Sequence, residues 1–515
     1  MHFGKWTAEN SVKGGAKVTG GKVAVSGIKS RQFRCRLVVK PTAASMWRHE
    51  TAVCPASILA ATPPAITATT TTKKKRKEKK TSSNRCHPMS DTQKWVAAWY
   101  APPIPMTPEI LMGGRTIRQI VHVHAGGQQL RLRVSNRYGN KPISLTSISV
   151  GRVLRGSKVR EISAVTFRGE QTVTLPAGQE EATSDPITTD SSSVVDAFTN
   201  LAITFYLYPL PGDTASVTGH PEALQTSYVS APSPPPPAAA AAVDFSSVTR
   251  SWWLITGVDI LPVPSSSTPS AIVALGSSTT DGVGSSINAN KRWPDCLARR
   301  LRRQSRDGNR FLSVLNAGLS GNQLTRDFGS GASNATLPVR FPFGEAGKTR
   351  LAWDVLAQPG LSAFIIHLGS NDLRTGVPAS ALIQAYIDLS HRVRSSSSGP
   401  VRVFGTTVLP GAYTPEQARE RRLFNTWMLQ QSTHSDYFHG VFDLSTPLQH
   451  PANDALIHPL YDSGDGMHPN DDGYRLIANA VDIGLLAGTG PSVVGSVPSS
   501  SSRETLCLPH RCVAI

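Results

Sequence analysis

The chain has 515 residues, of which 39% are hydrophobic, and a formal net charge of +18, which gives room for two or three globular domains. Residues 1–88 hold 18 Lys and Arg against 3 Asp and Glu, while the rest of the chain holds 35 against 32, so beyond residue 88 there is no basic groove signature of a nucleic-acid-binding protein. Cys35, Cys54, Cys86, Cys507 and Cys512 lie near the ends and only Cys296 is central, a spacing that excludes a disulfide framework or a cysteine metal site.

Residues 1–92 are rich in Gly, Lys, Ser and Thr and include Lys73-Lys-Lys-Arg-Lys-Glu-Lys-Lys80. Such a composition cannot bury much apolar surface, so it reads as a disordered basic tail. No apolar run in the chain approaches the ~18–20 residues that span a bilayer. The best secretory h-region, 54–68, is broken by Pro63-Pro64.

Over 93–262 the pattern is short alternating strands. Ile117–His124 and Leu130–Val134 flank a Gly-Gly hairpin signal, followed by Ile143–Val150, Ala164–Phe167, Thr172–Leu175, Leu201–Leu207 and Ser251–Ile260. Many short strands without a helix predict an all-β sandwich or jelly-roll-like domain. His122 and His124 share one strand face and read as solvent-facing residues, with a metal pair as the alternative. Residues 263–269, rich in Pro and Ser, read as a linker.

From 270 to 488 strands alternate with helices. Apolar strands at 271–275, 311–316, 362–368, 401–408 and 440–444 are interleaved with helical patterns near 293–304, 349–357, 379–394, 415–431 and 472–487. In the first helix Trp293, Leu297 and Leu301 recur every four residues, opposite a solvated face of Arg299, Arg300, Arg302 and Arg303. Cys296 there reads as a small buried hydrophobe. This rhythm predicts a parallel sheet covered by helices on both faces, a three-layer α/β/α arrangement. Residues 489–515 return to Gly, Ser and Pro and read as a tail.

Three polar blocks fall at the carboxyl ends of the first three strands, where α/β folds place their sites, and a fourth lies just before the last helix. They are Gly276-Ser-Ser-Thr-Thr-Asp-Gly282, Asn316-Ala-Gly-Leu-Ser-Gly-Asn322, Gly369-Ser-Asn-Asp372 and Asp465-Gly-Met-His-Pro469. Together they supply a hydroxyl, a glycine able to bring its N–H close to a substrate oxygen, a side-chain amide, and a carboxylate three residues before a histidine. These are the groups that acyl transfer uses.

In these blocks residues 270–488 resemble the SGNH (GDSL-type) serine hydrolases. The resemblance implies Ser278 as nucleophile, His468 as base, Asp465 as its orienting carboxylate, and an oxyanion hole of the Ser278 and Gly321 N–H groups with the Asn371 amide. The family's aspartate after Gly276 is Ser277 here, which bears on how the nucleophile turn is ordered. Asp281 and Asp372 read as loop-holding carboxylates, and His367 and His458 as rival bases without a carboxylate at a recognisable spacing. The β-rich segment, with Gly219-His-Pro and Gln225-Thr-Ser-Tyr228, resembles the domain that accompanies some secreted bacterial members, which implies a secreted or extracytoplasmic location.

The implied activity is hydrolysis of a carboxylic ester through an acyl-serine, with a small-molecule or glycan ester as substrate and neither metal nor organic cofactor. A carbohydrate O-acetyl or other short-chain ester is the leading substrate. Lipase, lysophospholipase or thioesterase action, and a catalytically silent carbohydrate-binding protein, are the alternatives.

Overall fold

The computed structural model describes residues 95–108, 112–188, 195–237, 242–263, 270–304, 312–327, 343–396, 399–432, 435–487, 507–508 and 511–512. The segment 1–92, residues 264–269 of the expected linker, and all of 489–515 except a short pairing of Cys507–Leu508 with Arg511–Cys512 lie outside that set.

The parallel sheet has five strands: β1 (Ser270–Gly276), β2 (Leu312–Gly318), β3 (Leu361–His367), β4 (Arg402–Thr406) and β5 (Gly440–Phe442), in the spatial order β2-β1-β3-β4-β5. Period-two alternation sends β1 side chains to two different cores. Ala271, Val273 and Leu275 pack with Leu382, Tyr386 and Leu389 of α4 (Ala379–Ser396) and with Phe424 and Met428 of α5 (Pro415–Gln430). Ile272 and Ala274 pack with Trp293, Leu297 and Leu301 of α2 (Trp293–Gln304) and with Tyr474 and Ile477 of α6 (Asp471–Ala480). The sheet is thus covered on both faces, and each fully buried Leu or Val contributes about 1.5–3 kcal/mol. Two shorter helices, α1 (Ser278–Asp281) and α3 (Ser370–Arg374), start within three residues of the ends of β1 and β3.

Two helical expectations changed in detail. The 349–357 pattern gives only a π-turn, Ala352–Leu356, beside an Arg350–Asp354 ion pair. The 472–487 pattern splits because the Arg300 guanidinium takes the Ala478 and Val481 carbonyls, and Asp482 accepts the Leu485 N–H to start a new helix, α7 (Ile483–Ala487).

Strands Val96 to Leu261 form antiparallel sheets. A seven-stranded one is centred on Arg115–Val123, Thr199–Leu207 and Ile143–Arg155, and a five-stranded one on Ile255–Leu261 and Gln129–Val134. Residues of both, such as Val121, Ile203, Leu132 and Val258, share one core. Strand Val96–Tyr100 faces both ways: Ala98 and Trp99 enter that core, while Val96, Ala97 and Tyr100 join the core under β1. The antiparallel part therefore packs directly on the parallel sheet, and the Tyr100 hydroxyl donates to Asp354 at 2.5 Å.

Candidate active site

β1 and β3 are adjacent in the sheet yet lead off to opposite sides, so a crevice opens beyond their carboxyl ends. Ser278 stands there as the first residue of α1, half-buried, after Ser277 in an extended conformation. The Ser277 side chain makes no capping hydrogen bond. Other groups order the turn where the resembled family has aspartate. The buried Arg350 guanidinium donates to the Gly276 and Ala317 carbonyls, both at 2.9 Å, and to Asn322 Oδ1 at 3.1 Å. Asn316 donates to the Thr280 carbonyl at 2.7 Å and accepts the Gly318 N–H at 2.9 Å, tying β2 to α1.

The loop before α6 brings the second block of chemistry. Asp465 Oδ1 accepts the N–H groups of Met467 and His468, both at 2.8 Å, so the carboxylate folds its own loop. Its Oδ2 accepts from His468 Nδ1 at 2.6 Å, and His468 Nε2 lies 2.8 Å from Ser278 Oγ. Partial burial alone would raise the Asp465 pKa. The hydrogen bonds from the His468 ring and from two backbone N–H groups outweigh it and hold the carboxyl well below its ordinary value. Asn470 caps α6 by accepting the Asp472 and Gly473 N–H groups, and the Tyr474 hydroxyl donates to the Val283 carbonyl, joining α6 to the turn after α1.

Gly321 adopts φ +78, and a Cβ there would fall 2.2 Å from the Phe343 ring, so only glycine fits. Asn371 sits in the first turn of α3, behind Gly369 at φ +119. One of its two amide hydrogens goes to the Asn322 carbonyl at 2.9 Å, which fixes the side chain against the Gly321 loop. Asp372 accepts the Leu324 N–H at 2.9 Å and, from Thr325, the N–H at 2.9 Å and the hydroxyl at 2.7 Å, a loop-holding arrangement. Asp281 accepts the Ser320 N–H at 3.1 Å and the Ser320 hydroxyl at 2.7 Å.

The rival bases stand elsewhere. His367 is buried under α1, facing the Thr280 hydroxyl at 3.0 Å, and burial pushes its pKa down to about 4. His458 accepts the Leu460 N–H through Nδ1 and serves a local turn.

Three residues of the site are given no role by sequence reasoning, although His220 lies in the Gly219-His-Pro motif noted above. Arg350 carries no sequence signal, because its role depends on two strand ends meeting. His220 and Glu222 come from the antiparallel part. His220 Nε2 faces Asp281 at 3.0 Å. Glu222 is exposed at φ +52, with His468, Asp281 and the Ser320 side chain as electrostatic and hydrogen-bonding neighbours.

Two expectations are corrected. Cys296 is half-buried rather than buried. His122 and His124 do share a face, with ring centroids 5.7 Å apart, but His124 is buried against the Val314 carbonyl and Asp295 of the parallel-sheet part, and His122 is half-buried beside Asn200. Among the described residues no group of three or more His, Cys, Asp or Glu is placed to hold a metal ion, and no helix is long and apolar enough to cross a membrane.

Residues 274–476 match the model of the GDSL-like lipase/acylhydrolase family. No curated protein matches the chain. Similar solved structures include a family two carbohydrate esterase from Clostridium thermocellum in complex with cellohexaose, 13% identical over 78% of this chain and 94% of that one, with a TM-score of 0.31. A family two carbohydrate esterase from Cellvibrio japonicus is 14% identical over 76% and 93%, with a TM-score of 0.29. The M. smegmatis aryl esterase is 19% identical over 42% and 97%, with a TM-score of 0.28. The matched residues run from β1 into α6, so the chain carries a GDSL-like lipase/acylhydrolase domain with a β-rich region ahead of it and is an enzyme of the esterase/acylhydrolase class.

Proposed function

We propose that the protein hydrolyses short-chain carboxylic esters of a hydroxyl-rich alcohol, such as a carbohydrate O-acetyl group, with Ser278 as nucleophile. The observation that carries this reading is the continuous hydrogen-bonded line from Asp465 through His468 to Ser278. A serine hydroxyl attacks a carbonyl only when a base takes its proton, and His468 Nε2 is within reach to do so. Asp465 holds the ring with Nδ1 protonated, leaving Nε2 free to accept, and stabilises the imidazolium that forms. The tetrahedral oxyanion takes the N–H groups of Ser278 and Gly321 and the second amide hydrogen of Asn371. His468 then protonates the departing alkoxide, and water, activated by the same imidazole, releases the acyl group from Ser278.

The leaving group exits past His468, where Glu222 offers a hydrogen-bond acceptor to a polar alcohol. That position favours a glycan or polyol ester over a long-chain lipid.

The test is turnover of p-nitrophenyl acetate by the full chain and by Ser278→Ala, with a series from acetyl to palmitoyl and with acetylated xylan. The reading predicts activity lost in the variant, a preference for acetyl, and acetate release from the xylan. Equal turnover by the two proteins removes Ser278, and a palmitoyl preference moves the substrate to lipids.

A further inference from the structure

The loop that follows strand Val217–His220 crosses from the antiparallel part onto the segment between α1 and α2. Asn288 donates its N–H to the Leu224 carbonyl at 2.9 Å and its side-chain amide to Thr226 Oγ1 at 2.9 Å, and accepts the Thr226 N–H at 2.7 Å. Arg292 donates to the Ala223 carbonyl. At the head of this clamp is His220, 3% exposed, its ring against Trp252. Nε2 donates to Asp281 Oδ1 at 3.0 Å, and Nδ1 lies 2.9 Å from the Pro102 carbonyl oxygen.

Asp281 has two tasks, one per oxygen. Oδ1 is taken by His220, and Oδ2 holds both the N–H and the hydroxyl of Ser320. Ser320 immediately precedes Gly321, whose N–H is assigned above to the oxyanion hole. Asp281 itself lies three residues after Ser278 on α1. One buried carboxylate therefore fixes the spacing between the nucleophile turn and the oxyanion loop, and its second oxygen is satisfied from outside the catalytic fold. A buried carboxylate that loses a donor rotates towards a new one, which releases Ser320, or takes up a proton, which weakens its hold on Ser320.

We propose that His220 is a positioning residue for ester hydrolysis, through which the antiparallel part holds Asp281, and through it the Gly321 loop, in register with Ser278. This rests on the reading of Ser278 and Gly321 given above. The β-rich region is then part of the active site's construction rather than an appended module.

The test uses the full chain with p-nitrophenyl acetate, reading kcat and KM separately. His220→Phe keeps a ring beside Trp252 but removes the donor. A sub-ångström to ångström shift of an oxyanion donor lowers kcat on the order of 10²-fold, with KM within about twofold because the transition-state contact alone is lost. His220→Gln, which can still donate to Asp281, recovers part of kcat. His124→Phe breaks the other histidine contact between the two parts, to Asp295 and the Val314 carbonyl, and lowers the melting temperature with kcat retained. Equal kcat for His220→Phe and wild type, equal loss in His220→Phe and His124→Phe, or no recovery in His220→Gln overturns the proposal. Inactivity of Ser278→Ala in the same assay separates these failures from a failure of the nucleophile assignment, which would leave that variant active.

Should His220→Phe not fold, the pair His220→Gln and Ser320→Ala decides. Acting through one carboxylate, the two together cost less kcat than the product of their separate effects, and strictly multiplicative losses contradict the proposal.

Discussion

Two histidines of the antiparallel part reach aspartates of the parallel-sheet part in the same way. His124 Nε2 donates to Asp295 at 2.9 Å with Nδ1 2.7 Å from the Val314 carbonyl oxygen, and His220 repeats the pattern on Asp281 and the Pro102 carbonyl. All four side chains are buried. What differs is the aspartate's other oxygen. Asp295 Oδ2 turns to the Arg292 backbone and guanidinium within its own helix start, whereas Asp281 Oδ2 grips Ser320, next to Gly321. On the proposal above, equal contacts then serve different ends, adhesion in one case and catalytic geometry in the other.

The sharpest way to break that comparison is to remove the aspartates. Asp281→Ala should lower kcat by ~10²–10³, the loss typical of a missing oxyanion donor, as measured by steady-state turnover of p-nitrophenyl acetate. Asp295→Ala should spare kcat but cost about 3–5 kcal/mol of stability, since it leaves Arg292 and His124 without their buried partner, as read by denaturant melting. Asn371→Ala, which removes the amide on the opposite side of the crevice, should also lower kcat by ~10²–10³ with the melting curve nearly unchanged.

Acid should weaken the fold through two other histidines. Burial holds His122, beside His124, and His367, beneath α1, neutral in the fold, with pKa values pushed down to about 4; the neighbouring His124 adds to the effect at His122. In the unfolded chain the same groups take up protons near pH ~6.5. Between those values the unfolded state binds more protons, so stability is full above pH ~6.5 and falls as the pH drops towards 4. The melting temperature of His122→Phe should fall less over that range than that of the wild type. The smallest effect is expected at Ser277→Ala: with no capping bond to lose, kcat should stay within about twofold, as for a side chain outside any special feature.

The parallel-sheet part was legible in the sequence because β1 and its neighbours are buried on both faces, which leaves unbroken apolar runs such as Ala271–Leu275, and because α2 keeps Trp293, Leu297 and Leu301 on one face. Ser278, Gly321 and Asn371 stood out as residue types beyond strand ends, and Asp465 and His468 as a carboxylate three residues before a histidine ahead of the last helix. Arg350, His220 and Glu222 were not. Their partners lie between 61 and 246 positions away for the contacts to Asp281, Gly276 and His468, and only folding brings them together. His122 and His124 misled for the same reason: strand periodicity gives a face, and the second part of the chain decides whether that face meets water.

The account rests on Ser278, rather than its neighbour Ser277, being the serine that His468 activates. The direct measurement is to treat the full chain with a fluorophosphonate, which phosphonylates an activated serine, and to map the modified peptide by mass spectrometry. The geometry predicts a single adduct on Ser278, absent from Ser278→Ala and greatly slowed in His468→Ala. An adduct on Ser277, or labelling indifferent to His468, would contradict it.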